Sequence, residues 1–270
     1  MKAIIELAKD KIADASYILI TAGAGMGVDS GLPDFRGTSG FWQAYPVAKK
    51  LNLDFQELAS PKWFEENPKL AWAFYGHRLH LYRDTKPHDG YYKLLDIALS
   101  KKEYFVATSN VDGHFQKAGF NEERVDEIHG SINHMQCTKP CSSEIWSSQQ
   151  IVVDIDLEKF EAKSTLPYCK KCGSIARPNI LMFSDWNWLK NREEKQRAKL
   201  ANFLRNVGES SLVILEFGAG EAIPTIRNLS EIIASDFNAT LIRINPQDCN
   251  IPDGTISLKM GAKEAIEELT

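Results

Sequence analysis

An apolar run, Tyr17-Ile18-Leu19-Ile20-Thr21, leads directly into Ala22-Gly23-Ala24-Gly25, and this junction constrains the fold more than anything else in the chain. An uninterrupted apolar run of this length reads as a parallel strand buried on both faces. Glycines immediately after such a strand let backbone approach a pyrophosphate, and a helix N-terminus there offers unpaired N–H groups to the charge. The alternative is a tight strand-to-helix connection. The Pro33-Asp34-Phe35-Arg36-Gly37 that follows is not needed for such a turn.

The rhythm around this junction predicts an α/β fold with a parallel sheet. Strand-like runs lie at 17–21, 104–108, 211–217 and 240–244, and helical patterns near 2–14, 90–100, 190–206, 221–235 and 262–269. Such alternation puts helices on both sheet faces. Pro224 suits the first turn of its helix. Two stretches break the rhythm. Residues 38–85 are aromatic-rich and read as a helical insert, while 134–177 hold four of the five cysteines. The expected division is a Rossmann-type domain from 1–37, 86–133 and 178–270, with 38–85 and 134–177 as the two parts of a small lobe.

The cysteines form two short-spaced pairs, Cys137-x3-Cys141 and Cys169-x2-Cys172, with 27 residues between them. Paired thiolates on knuckle turns suit one tetrahedral zinc, and four sulfurs close its shell, so the metal would be structural. Two disulfides are the alternative. The charged N-terminus lacks a signal-peptide pattern and no apolar run approaches the ~20 residues of a membrane span, so the chain reads as cytoplasmic, where zinc is favoured. The sequons at 228–230 and 238–240 are then chance matches, and Cys249 is a lone thiol. A net charge of −4 gives no footprint for nucleic acid or an anionic membrane.

The 22–37 segment resembles the NAD-binding motif of the sirtuins, the NAD-dependent protein deacylases, with Gly27 where that family usually has Ser. Thr108-Ser109-Asn110-Val111-Asp112 resembles a second family motif, with Ser109 in place of Gln, and His129-Gly130 a third. His114 sits one place before the family histidine of the second motif. Arg177-Pro178-Asn179-Ile180-Leu181-Met182-Phe183-Ser184-Asp185 is similar to the segment that pairs with the acyl-lysine peptide, with Ser184 replacing Gly. Gly218-Ala219-Gly220 stands where the family has Gly-Thr-Ser, and Pro224 falls one residue early.

The resemblance implies a set of roles. Gly23, Ala24, Gly25, Asp34, Phe35, Arg36, Gly218 and Asn245 would hold NAD. Asn110 and Asp112 would hold its nicotinamide end, and His129 would be the general base. Tyr75 and Arg78, with Phe183, would line the acyl pocket, and a Tyr-x-x-Arg pair there marks sirtuins that remove acidic acyl groups. Read from the residues alone, Tyr75 and Arg78 fit an amphipathic helix with a snorkelling Arg equally well. The implied reaction is deacylation of a lysine in a protein or peptide, yielding nicotinamide, O-acyl-ADP-ribose and free lysine. The alternatives are mono-ADP-ribosylation of a protein, NAD hydrolysis, or a non-catalytic module that senses NAD or ADP-ribose. The oligomeric state is not legible.

Overall fold

The computed structural model describes residues 2–33, 41–42, 45–208, 211–252 and 254–270. Six parallel strands form the main sheet: β1 (Tyr17–Ala22), β2 (Glu103–Thr108), β3 (Val125–Glu127), β9 (Leu212–Phe217), β10 (Thr240–Ile244) and β11 (Ile256–Leu258). Their spatial order is β11-β10-β9-β1-β2-β3. The chain therefore winds outward from β1 to β3, returns, and winds outward again from β9, as in a dinucleotide-binding fold. The reversal lies between β1 and β9, paired from Tyr17↔Leu212 to Ala22↔Phe217.

All six residues of β1 and all six of β9 are buried. Ile18, Ile20, Ala22, Val213, Leu215 and Phe217 face one cluster with Ile5, Ile12, Leu94 and Ile266, which come from helices Lys2–Asp14, Asp89–Leu99 and Ala262–Leu269. Tyr17, Leu19, Leu212 and Ile214 face the other with Leu200, Phe203, Ile226 and Ile233, from helices Asn191–Val207 and Thr225–Asp236. Alternate side chains point to opposite faces, so a continuous apolar run is what two covered faces demand. The 221–235 helix begins later than its pattern suggests: Thr225 is its first residue and Pro224 is the cap before it, outside the first turn. The two short strands β3 and β11 are absent from the sequence reading.

A third cluster is built differently. The helix Pro68–Asp84 buries Trp72, Phe74, Tyr75 and Leu79 against Phe41, Phe64, Ile132, Met135 and Ala176. The Trp72 indole donates to the Ala176 carbonyl at 3.0 Å and ties this insert to a small antiparallel sheet. That sheet has the order β5-β4-β8, from β4 (Gly130–Cys137), β5 (Trp146–Ser147) and β8 (Ala176–Ile180). A two-residue ladder, β6 (Ile155–Asp156) with β7 (Glu161–Ala162), lies beside it in sequence. The small sheet starts at Gly130 and ends at Ile180, beyond the 134 and 177 limits expected for the cysteine module. Among the described residues no strand interrupts 41–85, as expected of a helical insert. No helix of the described residues is long and apolar enough to cross a membrane.

Candidate active site

Open α/β sheets bind ligands beyond the carboxyl ends of the strands where the strand order reverses. Here Gly23 follows β1 and Gly218 follows β9, and the two loops touch through backbone alone. The Gly23 N–H donates to Phe217 O at 2.9 Å and the Gly25 N–H to Gly218 O at 3.1 Å. Gly218 has φ +57, and a Cβ on it would lie 2.4 Å from Gly25. A Cβ on Gly23 would lie 2.7 Å from Gly218 O. The glycines are thus required by the contact between loops, as well as by any phosphate. The turn that follows is a seven-residue 3₁₀ helix, Ala24–Ser30, where the sequence suggests an ordinary helix start.

Beyond this contact lies a cavity of about 370 Å³, lined by Gly23, Ala24, Ser109, Asn110, Asp112, His129 and Gly218. The same cavity reaches Phe55, Tyr75, Arg78, Tyr82 and Phe183. Most of the site residues expected from sequence therefore meet in one space. Two do not line it. Gly25 packs beneath Gly218. Asn245 is fully buried, donates to Ala219 O at 2.9 Å and accepts from the N–H groups of Gln247 and Asp248 at 3.0 and 3.1 Å. Its amide ties the 218–220 loop to the turn after β10. Asp34, Phe35 and Arg36 lie outside the described residues.

The polar residues of the cavity are set by their neighbours. The Asn110 amide donates to Gly23 O at 2.9 Å, and its own N–H donates to the Thr108 hydroxyl. Asp112 accepts from the His114 N–H at 2.8 Å, which fixes its carboxylate. A Cβ on Gly27 would lie 3.3 Å from the Leu32 side chain and 3.8 Å from Asp112. A residue larger than glycine there would stand beside that carboxylate. His129 is half-buried at the end of the stretch that follows β3. Burial lowers its pKa below the ordinary 6.5, a hydrogen bond to the Ser109 backbone opposes this, and the Arg197 charge lowers it further. The net result is a ring that is neutral at neutral pH, as a base must be. His114 is buried against the Tyr91 ring and does not line the cavity.

The segment after β8 closes the opposite wall. The strand ends at Ile180, part-way along the Arg177–Asp185 segment. Leu181, Met182 and Phe183 continue along the cavity in an ordered loop. Their N–H groups are engaged: Leu181 with His129 O at 2.9 Å, Met182 with Asp185 at 3.3 Å, Phe183 with Ala59 O at 3.0 Å. Ser184 has φ +56, a left-handed backbone that suits the glycine it replaces. Arg177 fastens this loop with a bidentate ion pair to Asp185, at 2.7 and 2.8 Å, with both side chains buried.

At the acyl end, Tyr75, Arg78 and Tyr82 share one face of the Pro68–Asp84 helix at spacings of three and four. Arg78 donates through Nε and Nη2 to the Tyr82 hydroxyl at 3.1 and 2.8 Å. Its guanidinium lies 5.3 Å from the Phe74 and Tyr82 rings, 5.8 Å from Tyr75 and 5.9 Å from Phe55. The Tyr75 hydroxyl is buried without a hydrogen-bond partner, and burial pushes its pKa up, so it remains a donor. Tyr75 is fully buried and Arg78 is 6% exposed, so the guanidinium lies among the aromatic rings and not in open water. Tyr82 was missed in the sequence, although one more helical step from Arg78 leads to it.

The four paired cysteines converge. Their Sγ atoms all lie within 4.8 Å of one another, with Cys137–Cys172 at 3.5 Å and Cys141–Cys169 at 3.6 Å. A disulfide would need ~2.05 Å, whereas thiolates on a tetrahedral zinc at ~2.3 Å stand ~3.8 Å apart. All four are free thiols, and the donor set fits zinc with no position left open for chemistry. Cys249 stands apart, also free.

The sequence profile of the Sir2 family matches residues 23–214, from the first loop to β9. The chain belongs to the Sir2 family. An NAD-dependent protein deacylase of Aeropyrum pernix is 30% identical over 273 residues, covering 100% of this chain and 97% of the relative. One from Leptospira interrogans serovar Lai is 30% identical over 248 residues, covering 92% and 87%. The solved structure of a Sir2 homologue in complex with NAD superimposes with a TM-score of 0.73 at 25% identity, covering 98% of this chain and 91% of that one. A Sir2 enzyme at 24% identity shares the fold with a TM-score of 0.71.

Proposed function

We infer that this Sir2-family chain is an NAD-dependent protein-lysine deacylase that forms nicotinamide, O-acyl-ADP-ribose and free lysine. One observation carries this reading: a single cavity at the strand-order reversal contains Asn110, Asp112 and His129 together with the 180–183 wall. A module that only sensed the nucleotide would not need a neutral, half-buried base in the same space. NAD is the co-substrate and supplies an anomeric carbon from which nicotinamide leaves. Gly23, Ala24 and Gly218 would take the phosphates, and Asn110 and Asp112 the nicotinamide end.

The acyl-lysine would lie along 180–183. β8 lies at the edge of its sheet among the described residues, and a peptide added beside its continuation would pair through main-chain hydrogen bonds. Because the N–H groups of 181–183 are already engaged, the peptide would pair by donating its own N–H groups to carbonyls of this wall. That alignment brings the acyl oxygen to the anomeric carbon, where orientation substitutes for concentration. His129 would then accept a proton from a ribose hydroxyl, and the acyl group would pass to the ribose. The parallel-sheet residues would form the NAD-binding unit, and the helical insert with the cysteine module the lobe that completes the acyl pocket.

The Tyr75 hydroxyl favours a finer reading, that acyl groups ending in a carboxylate are preferred. An unpartnered buried donor is costly, and a carboxylate would satisfy it alongside Arg78. The test is product analysis by mass after incubation with NAD alone, with NAD and an acetyl- or succinyl-lysine peptide, and with NAD and unmodified protein. Peptide-dependent nicotinamide release with acylated ADP-ribose is the expected result. Brisk release without peptide would make the protein a hydrolase. ADP-ribose found on protein would make it a transferase.

A further inference from the structure

Of the tryptophans in the described residues, Trp186 alone is exposed, at 94%, while Trp72 is fully buried and the others are partly covered. A large apolar side chain left in water on a flexible tail needs no explanation. Trp186 is not on such a tail. Asp185 before it is held by the buried fork of Arg177. Asn187 after it donates its N–H to Asp185 at 3.2 Å, and its carbonyl accepts from Gln136 at 2.8 Å. Gln136, itself fully buried, also accepts from the Leu189 N–H at 3.0 Å and from the Asn179 amide at 2.9 Å. The backbone on both sides of the indole is therefore fastened to the small sheet, while the ring projects into solvent.

This platform is continuous with the wall of the catalytic cavity. Trp186 is three residues beyond Phe183, on the loop whose 181–183 part lines the cavity, and Leu181 in that part is itself 38% exposed. An extended peptide advances about 3.3 Å per residue, so an acyl-lysine held beside Phe183 would put its flanking residues within reach of this loop.

We propose that Trp186 is a specificity-determining residue that receives an apolar or aromatic side chain of the substrate peptide, within three residues of the acyl-lysine. This goes beyond the acyl pocket and rests on the deacylase reading. Main-chain pairing is indifferent to peptide sequence. A rigidly presented indole adds a preference that backbone contacts cannot, because aromatic pairs gain from offset or edge-to-face packing.

The experiment uses a set of acyl-lysine peptides that differ only by Phe or Ser at one of the six flanking places, with the intact enzyme and saturating NAD. At one place Phe should lower KM roughly three- to tenfold relative to Ser, with kcat within twofold. Trp186→Ser should bring that ratio to about one without altering the melting temperature or the KM for NAD. Trp186→Phe should keep most of it. Equal KM values at all six places in the wild type, or an unchanged ratio in Trp186→Ser, would overturn the proposal while deacylation itself stands. Failure to deacylate any peptide overturns the deacylase reading and this one with it.

Discussion

The parallel-sheet region and the region around the cysteines reach stability by opposite means. The first has six strands, two covered faces and two apolar clusters, and its central strands are buried from end to end. The second has strands as short as two residues, an aromatic helix and four thiols gathered within 4.8 Å. Short ladders cannot stand alone in water. The cavity thus lies between a wall built on a broad apolar core and one braced by a four-thiol zinc site.

Removing zinc should separate the two regions most visibly. Metal binding and folding are coupled in such modules, with apparent energies of ~10–16 kcal/mol. Chelation, or Cys169→Ser, should abolish hydrogen-exchange protection in β4, β5 and β8 while β1, β2 and β9 keep theirs. A metal-free protein with intact protection throughout would show that the two regions are alike after all.

His129 sits where the two regions join, so its replacement separates chemistry from architecture. His129→Ala should lower acyl transfer by ~10²–10⁴ and leave NAD affinity, by titration calorimetry, within a few-fold. Because burial lowers its pKa, the acid limb of the rate profile should lie below the ordinary 6.5. The sign for stability is the same. The unfolded chain binds this proton more readily, so the contribution is present above about 6.5 and declines as pH falls. Wild-type deacylation in the variant would remove His129 from its role.

Arg177→Met should weaken the small-sheet side alone. It strands the buried Asp185 carboxylate, at a cost of ~3–5 kcal/mol, and the loss should concentrate in the 181–189 loop. Denaturant midpoints and exchange in that loop would measure it. The smallest effect concerns the acyl end. Arg78→Met should reduce the succinyl-to-acetyl ratio of kcat/KM by one to two decades, from a charge-assisted hydrogen bond of ~1.5–3 kcal/mol. An unchanged ratio would make Arg78 part of the aromatic core alone.

The same contrast explains what was legible in the sequence. β1, β2, β9 and β10 announce themselves because burial on two faces requires continuous apolar runs. β3 does not, since Asp126 and Glu127 look like surface residues. They are buried because Arg197 and Arg192, from the Asn191–Val207 helix, reach them. The cysteine cluster was readable from spacing, since each pair must sit on one turn. Asn245 is harder to read, because a buried amide that ties two loops together carries the same local pattern as one that contacts a ligand. The Arg177–Asp185 fork joins residues whose partnership depends on the loop's return, which no local pattern reveals.

One hydrogen bond has a larger consequence. The Leu181 N–H donates to the carbonyl of His129, so the base and the wall that would receive the peptide belong to one continuous ladder. Side chains alternate along an extended peptide, and a slip of one residue would turn the acyl-lysine away from the cavity. On the proposed deacylase reading, an enzyme arranged this way would read the phase of its substrate before its spelling. Many sequences would be accepted, but each in a single alignment.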